Sequence, residues 1–581
     1  MQLEMMNGNE LYYAFISGAK KIINERQHLN RINVFPVPDG DTGNNMSYMM
    51  QRIIKDAKPS ENISETMESI ANAAIAGSRG NSGIIFAEYL NGLYEHIKGK
   101  TVVYLDEFHQ AIKNGIRKAY QALLNPVEGT ILSVLRKAFD IEVNGGDFTA
   151  YFKTISERAK VALKETTEEL EVLKKNKVVD AGASGFTSFL EGITHYLETK
   201  EATVFEEEEA IEMEEIVHEM AVTERYCTEA LLTNVRLEPH QVRALFQDDG
   251  SSLIVSGRKD KMRLHIHTDY PEKVFYILRQ YGDIVEQKVD DMIRQQQAME
   301  DHHPRIAVVT DTIADLTMDI ADEYHIHFLP INLMVDGVSY LDKVTITTNT
   351  FYRMMNEVKQ FSSSQPDKIA IERLLGFLEE HYDDIIVVTV ASKLSGTYNA
   401  VVQYAKEHKK IHVIDSKQNS GAQGLVAFEV AKMIRNGNSV ERILNVIPDF
   451  IKRTKIYVSV KTLKYMVRMG RLKKVTGLIT KIINLKPVVS LGKEGEGIIK
   501  SKAFSLRGNE KQILKLAAQA PVEQYIMVHA RAEERANKLA KQIEKITGKK
   551  PIYTTEISPI VAMNAGIGAI AVAFTYEKEV D

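Results

Sequence analysis

The interval between apolar residues changes twice along this chain, and those changes limit the kinds of fold it can contain. From residue 10 to about 200 the apolar positions recur at helical spacing, as over 11–24, 63–75 and 159–173. Strand-like alternation is scarce there, which predicts an all-α domain over 1–200. An acidic run over 206–215 closes the block and reads as a solvated linker or helix face. Residues 216–288 have another texture. The spacing predicts strands over 226–233, 252–256 and 262–267 and a helix over 271–281, giving a small α/β domain. A glutamine-rich helical connector is expected over 290–301, leading to Pro304. The block 304–581 alternates short apolar runs with helical patterns. RIAVVTD from Arg305, DIIVVTV from Asp384 and KIHVID from Lys410 predict parallel sheets with crossover helices. Ligands of such sheets sit at the carboxyl ends of the strands, where the loops VTDT, SKLSGT and DSKQNS fall.

At 581 residues the chain exceeds what one hydrophobic core supports, in keeping with several domains. A net charge of −5 gives no electrostatic case for a nucleic-acid partner. A single cysteine excludes an internal disulfide framework and fits a reducing compartment. The start, MQLEMMNGNELYYAF, lacks the basic and apolar regions of a signal peptide. The longest strongly apolar stretch, 567–574, falls far short of the ~20 residues that span a bilayer. A cytoplasmic protein is expected, touching lipid peripherally or through a pocket.

The most informative stretch is NVFPVPDGDTGNNM, 33–46. Its prolines and glycines preclude a regular helix, so it presents Asp39 and Asp41 on an ordered turn where both carboxylates can face one hard cation such as Mg²⁺. Asn33 adds a neutral oxygen, and the amides of Thr42, Asn44 and Asn45 are placed to meet phosphate. By itself an Asp-Gly turn with solvated carboxylates is common. Two further glycine-rich loops, GSRGNSG (77–83) and VVDAGASGF (178–186), each precede a helical run and offer backbone donors to an anion. Neither carries the lysine of a Walker A loop.

Together, PVPDGDTGNNM, GSRGNSGIIFAEYL, NPVEGTILSVLRKA and VVDAGASGF resemble the nucleotide-binding domain of bacterial fatty acid kinase, which is related to the L subunit of dihydroxyacetone kinase. The resemblance covers about the first 200 residues. It implies an α-helical barrel binding ATP and two Mg²⁺ ions, with Asp39 and Asp41 as catalytic metal ligands. Ser82 and Gly83 would lie by the phosphates, and Thr130 and Asp180, with Gly182 in the same loop, nearer the nucleoside. The dihydroxyacetone kinase relatives carry a further upstream Asp, and this chain has Asn33 near that place.

In RLHIHT (263–268) strict alternation puts His265 and His267 on one face of a strand. Two such histidines make half a zinc site, with Cys227 as a third ligand. Spacing alone favours a polar sheet face with a buried cysteine. YCTE (from Tyr226) and HIHT also resemble the middle domain of fatty acid kinase, which implies a metal there, with a structural role.

Over 305–574, VTDTIADL, SSQP, LSGTY, VIDSKQNSGAQGL, RMGRL and ISPIVAMNAGIGA resemble the DegV family of fatty-acid-binding proteins. The resemblance implies two α/β subdomains enclosing an acyl chain, with the carboxylate held at the mouth. Ser395 stands before a helix as an N-cap would, so its hydroxyl can face an anion. Ser363 and Ser364 fit a tight loop with further donors, and Arg471 would lie near the mouth. The bland alternatives are an ordinary cap, a solvated turn and a surface arginine. Where the family usually has a histidine on the carboxylate, this chain has Asn564, an amide that carries no positive charge.

The expected activity is ATP-dependent phosphorylation of a fatty acid carboxylate, giving acyl phosphate and ADP. The acid is ionised at neutral pH and needs no general base. A homo-oligomer, a dimer, is expected. Two alternatives stand beside this: a kinase of a small polyol or ketone, and a non-catalytic lipid-binding regulatory protein.

Overall fold

The computed structural model describes residues 3–36, 40–143, 145–201, 223–299, 305–355, 357–358, 360–471 and 485–580. Asp39, the acidic run and residues 300–304 lie outside them. The chain divides into two compact units, Met1–Gln296 and Gln297–Asp581.

The first unit begins with a ring of helices. Gly8–Asn24 packs on Thr42–Asp56, followed in turn by Ile63–Gly77, Gly80–Ile97, Leu105–Ala122, Ile131–Ala138, Phe148–Glu169 and Ala181–Thr199, which returns to Gly8–Asn24. Several helices start where the sequence supplies a short oxygen side chain: Asn62, Asp147 and Asp180 each accept a first-turn N–H. The core is apolar and aromatic, with Phe86 edge-on to Phe186 and Phe189 at 5.2 and 5.0 Å. The helix expected over 159–173 is interrupted. Leu170 is extended and packs its side chain on Gly129, and a short helix, Glu171–Asn176, follows. Among its described residues the extended pairings are a two-residue ladder of Met5–Met6 with Val103–Tyr104 and a single bridge from Leu123 to Ile254.

A four-stranded antiparallel sheet follows, in the order Ser251–Arg258, Lys261–Thr268, Tyr226–Thr233, Asp283–Asp291, with helices Pro239–Phe246 and Pro271–Leu278. The outer strand Asp283–Asp291 takes up the first residues of the expected connector, whose helix runs only over Met292–Met299. Register aligns Cys227 with His267 and Asp290, and Glu229 with His265 and Lys288. Because strand side chains alternate, all six share one face. The other face supplies Ala230, Leu264 and Ile266 to the core.

The second unit holds two main sheets. In the first, Ile411–Asp415, Asp384–Thr389, Ile306–Asp311 and Ile326–Leu329 are all parallel, as the three apolar runs predict. The second has the order Gly497–Ser501, Val488–Leu491, Thr454–Ser459, Ile570–Tyr576, Val522–His529, Thr554–Glu556. It corrects the expectation of parallel sheets throughout, because only its last pair is parallel. The cause is connectivity: the hairpin into Gly497–Ser501 and the C-terminal strand inserted between Thr454–Ser459 and Val522–His529 both force antiparallel neighbours. The buried helix Ser420–Arg435 packs against strands of both sheets.

Candidate functional site

The first site lies where two helices of the ring begin. Thr42–Asp56 starts immediately after Asp41, and Gly80–Ile97 starts inside the GSRGNSG loop, four residues earlier than the apolar run suggests. First-turn N–H groups lack intrahelical partners, so both ends present donors. Asn33, Asp41, Thr42, Asn45 and Ser82 line a cleft of about 30 Å³ together with Arg79, Gly80 and Asn81. Thr42 Oγ1 donates to Asn33 Oδ1 at 2.6 Å, and Asn44 N–H donates to Asn30 Oδ1 at 3.0 Å, which turns Asn44 away from the cleft-lining set. Gly182 packs on Ser82, and a Cβ at 182 would collide with the serine hydroxyl. Gly83 sits in the first turn beside Ser82 without lining the cleft. Thr130 caps Ile131–Ala138, and Asp180 caps Ala181–Thr199 through Ala183 N–H at 2.7 Å. Burial pushes the Asp180 carboxyl up to about 6, against the bonds it accepts from Ala183 and Ile131. These two residues are neighbours but lie outside the cleft.

The polar face of the antiparallel sheet closes on the same place. Cys227, His265 and His267 offer one ligand atom each, all within 4.8 Å of one another, and all three residues line the cleft with Asp41. The cluster is therefore part of this site, where the resemblance implies a purely structural role. Sulfur and imidazole donors are the set zinc prefers. Burial and the adjacent His265 push His267 down to about 3, so it is neutral at pH 7 with a lone pair for a metal. Burial holds the Cys227 thiol well above its usual value. His265 Nε2 is buried without a hydrogen-bond partner among the described residues, as suits a ligand atom. Asp41 and the amide oxygens of Asn33 and Asn45 are hard donors, the kind Mg²⁺ takes alongside phosphate oxygens.

Three residues given no role from the sequence, two of them within the motifs GSRGNSG and YCTE, complete the site. Glu229, fully buried, accepts the Gly80 N–H at 2.6 Å and lies 3.3 Å from His265 Nδ1. Burial raises its carboxyl, but Lys288 and His265 outweigh that and hold it below the usual range. Lys288 Nζ stands 2.8 Å from Asp290, 3.8 Å from Asp41 and 4.0 Å from Glu229. Arg79 lies 3.6 Å over the Tyr48 ring and pairs with Glu286 at 3.2 Å.

The second site is a cavity of about 440 Å³ within the C-terminal unit, in the size range of small-molecule pockets. Its polar lining includes Ser363 and Ser364, which end the strand Phe361–Ser364 instead of forming the expected tight loop, the following Gln365, the segment Ser392 to Gly396, and Asn564 in the helix Pro559–Ala565. Its apolar wall is one face of the second sheet, with Ile456, Val458, Val489, Val528 and Ala571. All five residues assigned to a headgroup (Ser363, Ser364, Ser395, Arg471 and Asn564) line this one cavity. Ser395 is not the cap itself: Gly396 is, and Ser395 Oγ accepts the Thr397 N–H at 3.3 Å and bonds the Thr397 hydroxyl at 2.9 Å. Arg471 is exposed and donates to the Met469 carbonyl at 2.8 Å. Asn564 Nδ2 donates to the Ile560 carbonyl at 2.8 Å, and its Oδ1 is buried without a partner among the described residues.

Three family models match the chain in order. The DAK2 domain matches residues 36–195, the FakA-like middle domain of fatty acid kinase 223–299, and the uncharacterised DegV family 305–577. The chain is a fusion of DAK2, FakA-like middle and DegV domains. Uncharacterised proteins of Staphylococcus aureus strains bovine RF122 and USA300 are each 30% identical over 339 residues, which cover 54% of this chain and 62% of theirs. The chain thus spans under two thirds of the length of these relatives. Solved structures similar to the DegV domain include a fatty-acid-binding DegV family protein from Thermus thermophilus (23% identity, 47% of this chain and 99% of that one, TM-score 0.44). A DegV lipid-binding protein from Thermotoga maritima is 25% identical over 48% of this chain and 100% of that one, with a TM-score of 0.43. In domain terms, the cleft combines the DAK2 helix ends with the polar face of the middle domain, and the cavity belongs to the DegV domain alone.

Proposed function

We propose that the chain transfers the γ-phosphoryl group of ATP to the carboxylate of a fatty acid held in the DegV cavity, giving acyl phosphate and ADP. The observation that carries this reading is a cavity with serine hydroxyls on one side and branched aliphatic side chains along its sheet wall, on the same chain as a DAK2 domain. In the DAK2 cleft, Asp41 and Asn33 would hold Mg²⁺, with Asp39 as the further ligand that the family resemblance implies, while the amides after Asp41 and around Ser82 meet phosphate. Cys227, His265 and His267 would hold zinc. Bound metal supplies charge neutralisation on the transferring phosphoryl group. The residues themselves orient the nucleotide and exclude water, and no proton needs to be moved, since the attacking carboxylate is already ionised. In the DegV cavity Ser395, Ser363 and Ser364 orient the carboxylate, and the sheet wall takes the chain. We further propose a cytoplasmic protein acting as a dimer.

A second reading, a lipid-binding regulator without turnover, is favoured by Asn564, whose N–H₂ is already engaged by Ile560. The deciding experiment is mass spectrometry of lipid extracted from the purified protein, paired with transfer of ³²P from ATP to that lipid. A hydroxylamine-sensitive phosphate that disappears in Asp41→Ala supports the kinase. Lipid without transfer supports the regulator, and stimulation of ADP release by dihydroxyacetone would replace both with a polyol kinase.

A further inference from the structure

Phosphoryl transfer requires positive charge at the oxygens of the group in flight. The glycine loops of the DAK2 domain bring no Walker-type lysine. Among the described residues lining the cleft, Arg79 is the one with a permanent positive charge, and it is engaged by Tyr48 and Glu286. A cation close to Asp41 comes instead from the middle domain. Lys288, on the outer strand Asp283–Asp291, has its side chain 2% exposed and its ammonium 3.8 Å from Asp41 Oδ2. That separation is beyond a hydrogen bond, so Asp41 does not saturate the ammonium.

The surroundings of Lys288 make little sense as packing alone. Burying an ammonium costs several kcal/mol unless it is well paired, and an aliphatic side chain would fill the space at less cost. Here the pairing is over-supplied: Asp41, Glu229 and Asp290 place three carboxylates around one ammonium. Asp290 lies within hydrogen-bond reach of the ammonium, and Glu229 and Asp41 lie at 4.0 and 3.8 Å. The local charge of these four groups is two units negative, which a divalent cation on Asp41 would balance. Glu229 also ties the strand beside Lys288 to the Gly80 N–H, so the ammonium is held in register with the helix end that faces phosphate.

We propose that Lys288 is the middle domain's contribution to phosphoryl transfer, contacting the γ-phosphoryl oxygens of ATP bound at Asp41. The inference rests on the reading of the cleft as an ATP site. In the transfer, an oxygen of the acceptor forms its bond to the γ-phosphorus as the bond to the bridging oxygen of ADP breaks. Lys288 keeps its proton throughout and neutralises the oxygens that remain on phosphorus.

The test is calorimetry on the full chain with Mg²⁺, comparing AMPPNP, which has a γ-phosphate, with ADP, which lacks it. The wild type is expected to bind AMPPNP more tightly. Lys288→Met should weaken AMPPNP about tenfold or more while leaving ADP within about twofold, and Lys288→Arg should keep most of the preference. Lys288→Gln replaces the Met variant if that one does not fold. Equal weakening of both nucleotides would overturn the proposal in favour of a structural lysine. Tightening of both would overturn it in favour of an ammonium that merely occupies the metal's place on Asp41. A wild type that binds both nucleotides with a preference Lys288→Met leaves intact sinks Lys288 alone. A wild type without preference does the same, and one that binds neither nucleotide sinks the ATP site with it.

Discussion

At the scale of single residues, two positions in the DegV domain turn local chemistry into measurable behaviour. Asn564 lines the cavity that we propose holds a carboxylate, and its side-chain amide donates to the Ile560 carbonyl. Asn564→His should therefore tighten binding of a fluorescent fatty acid by about tenfold at pH 6, where the imidazole is protonated. At pH 8 the gain should shrink, and a gain independent of pH would show that charge is not what the position lacks. Asp342 is the second case. It is fully buried, one oxygen accepts the Ile560 N–H at 3.0 Å, and the other has no partner among the described residues. Burial pushes it up to about 7 from 3.8, against Lys343 and the Ile560 bond. The folded protein thus keeps a proton that the unfolded chain releases near pH 4. This contribution to stability is complete below pH 4 and is lost as pH rises through 7. Asp342→Asn keeps the acceptor for Ile560 without the charge. It should stabilise the protein by roughly 1–2 kcal/mol at pH 8 and by little at pH 5, read from denaturant midpoints at the two values.

At the scale of elements, the glycine loops do their work through close approach. The helix Ala181–Thr199 abuts the start of Gly80–Ile97 where Gly182 meets Ser82, and no side chain fits between them. Gly182→Ala should push the two helix ends apart, weakening Mg²⁺-dependent nucleotide binding at least tenfold while the far-ultraviolet spectrum stays helical. Unchanged binding would mean that Ser82 does not face phosphate. This contact also marks how far the sequence could be read. PVPDGDTGNNM and the glycine loops stand out because turns and helix starts demand particular residues at particular places, and so Asn33, Asp41 and Ser82 were legible. The strand carrying His265 and His267 was legible because RLHIHT alternates in sequence, and the one carrying Cys227 because it is a short apolar run bounded by polar residues, although both strands are buried on both faces. The strand Asp283–Asp291 was not. It lies at the sheet's edge and bears charged residues on both faces, as edge strands do, so its period is masked and Lys288 went unnoticed. Glu229 was missed for another reason. Its partner Gly80 is 149 residues away, and only the packed fold makes that hydrogen bond. The same holds for the second sheet of the DegV domain, whose C-terminal strand pairs with strands far upstream.

At the scale of the whole molecule, the reading requires two ligands with separate addresses on one polypeptide. Joining them raises the effective concentration of the acceptor at the donor site without any new contact, provided the linkage allows engagement. The two addresses can be closed one at a time. Ala571 lies on the cavity face of its strand, in register with Val458 and Val528, and its small side chain helps leave room for the cavity. Ala571→Phe should fill that space without straining the sheet, so the melting temperature is expected to hold or rise. Lipid recovered by mass spectrometry should fall below a tenth of the wild-type amount, and acyl phosphate formation should fall with it. Affinity for Mg²⁺·AMPPNP should stay within about twofold, because no residue of the cleft lies in the DegV domain. If acyl phosphate still forms at the wild-type rate once the cavity is filled, the acceptor is delivered from outside this chain, and the DegV domain serves some purpose other than holding it.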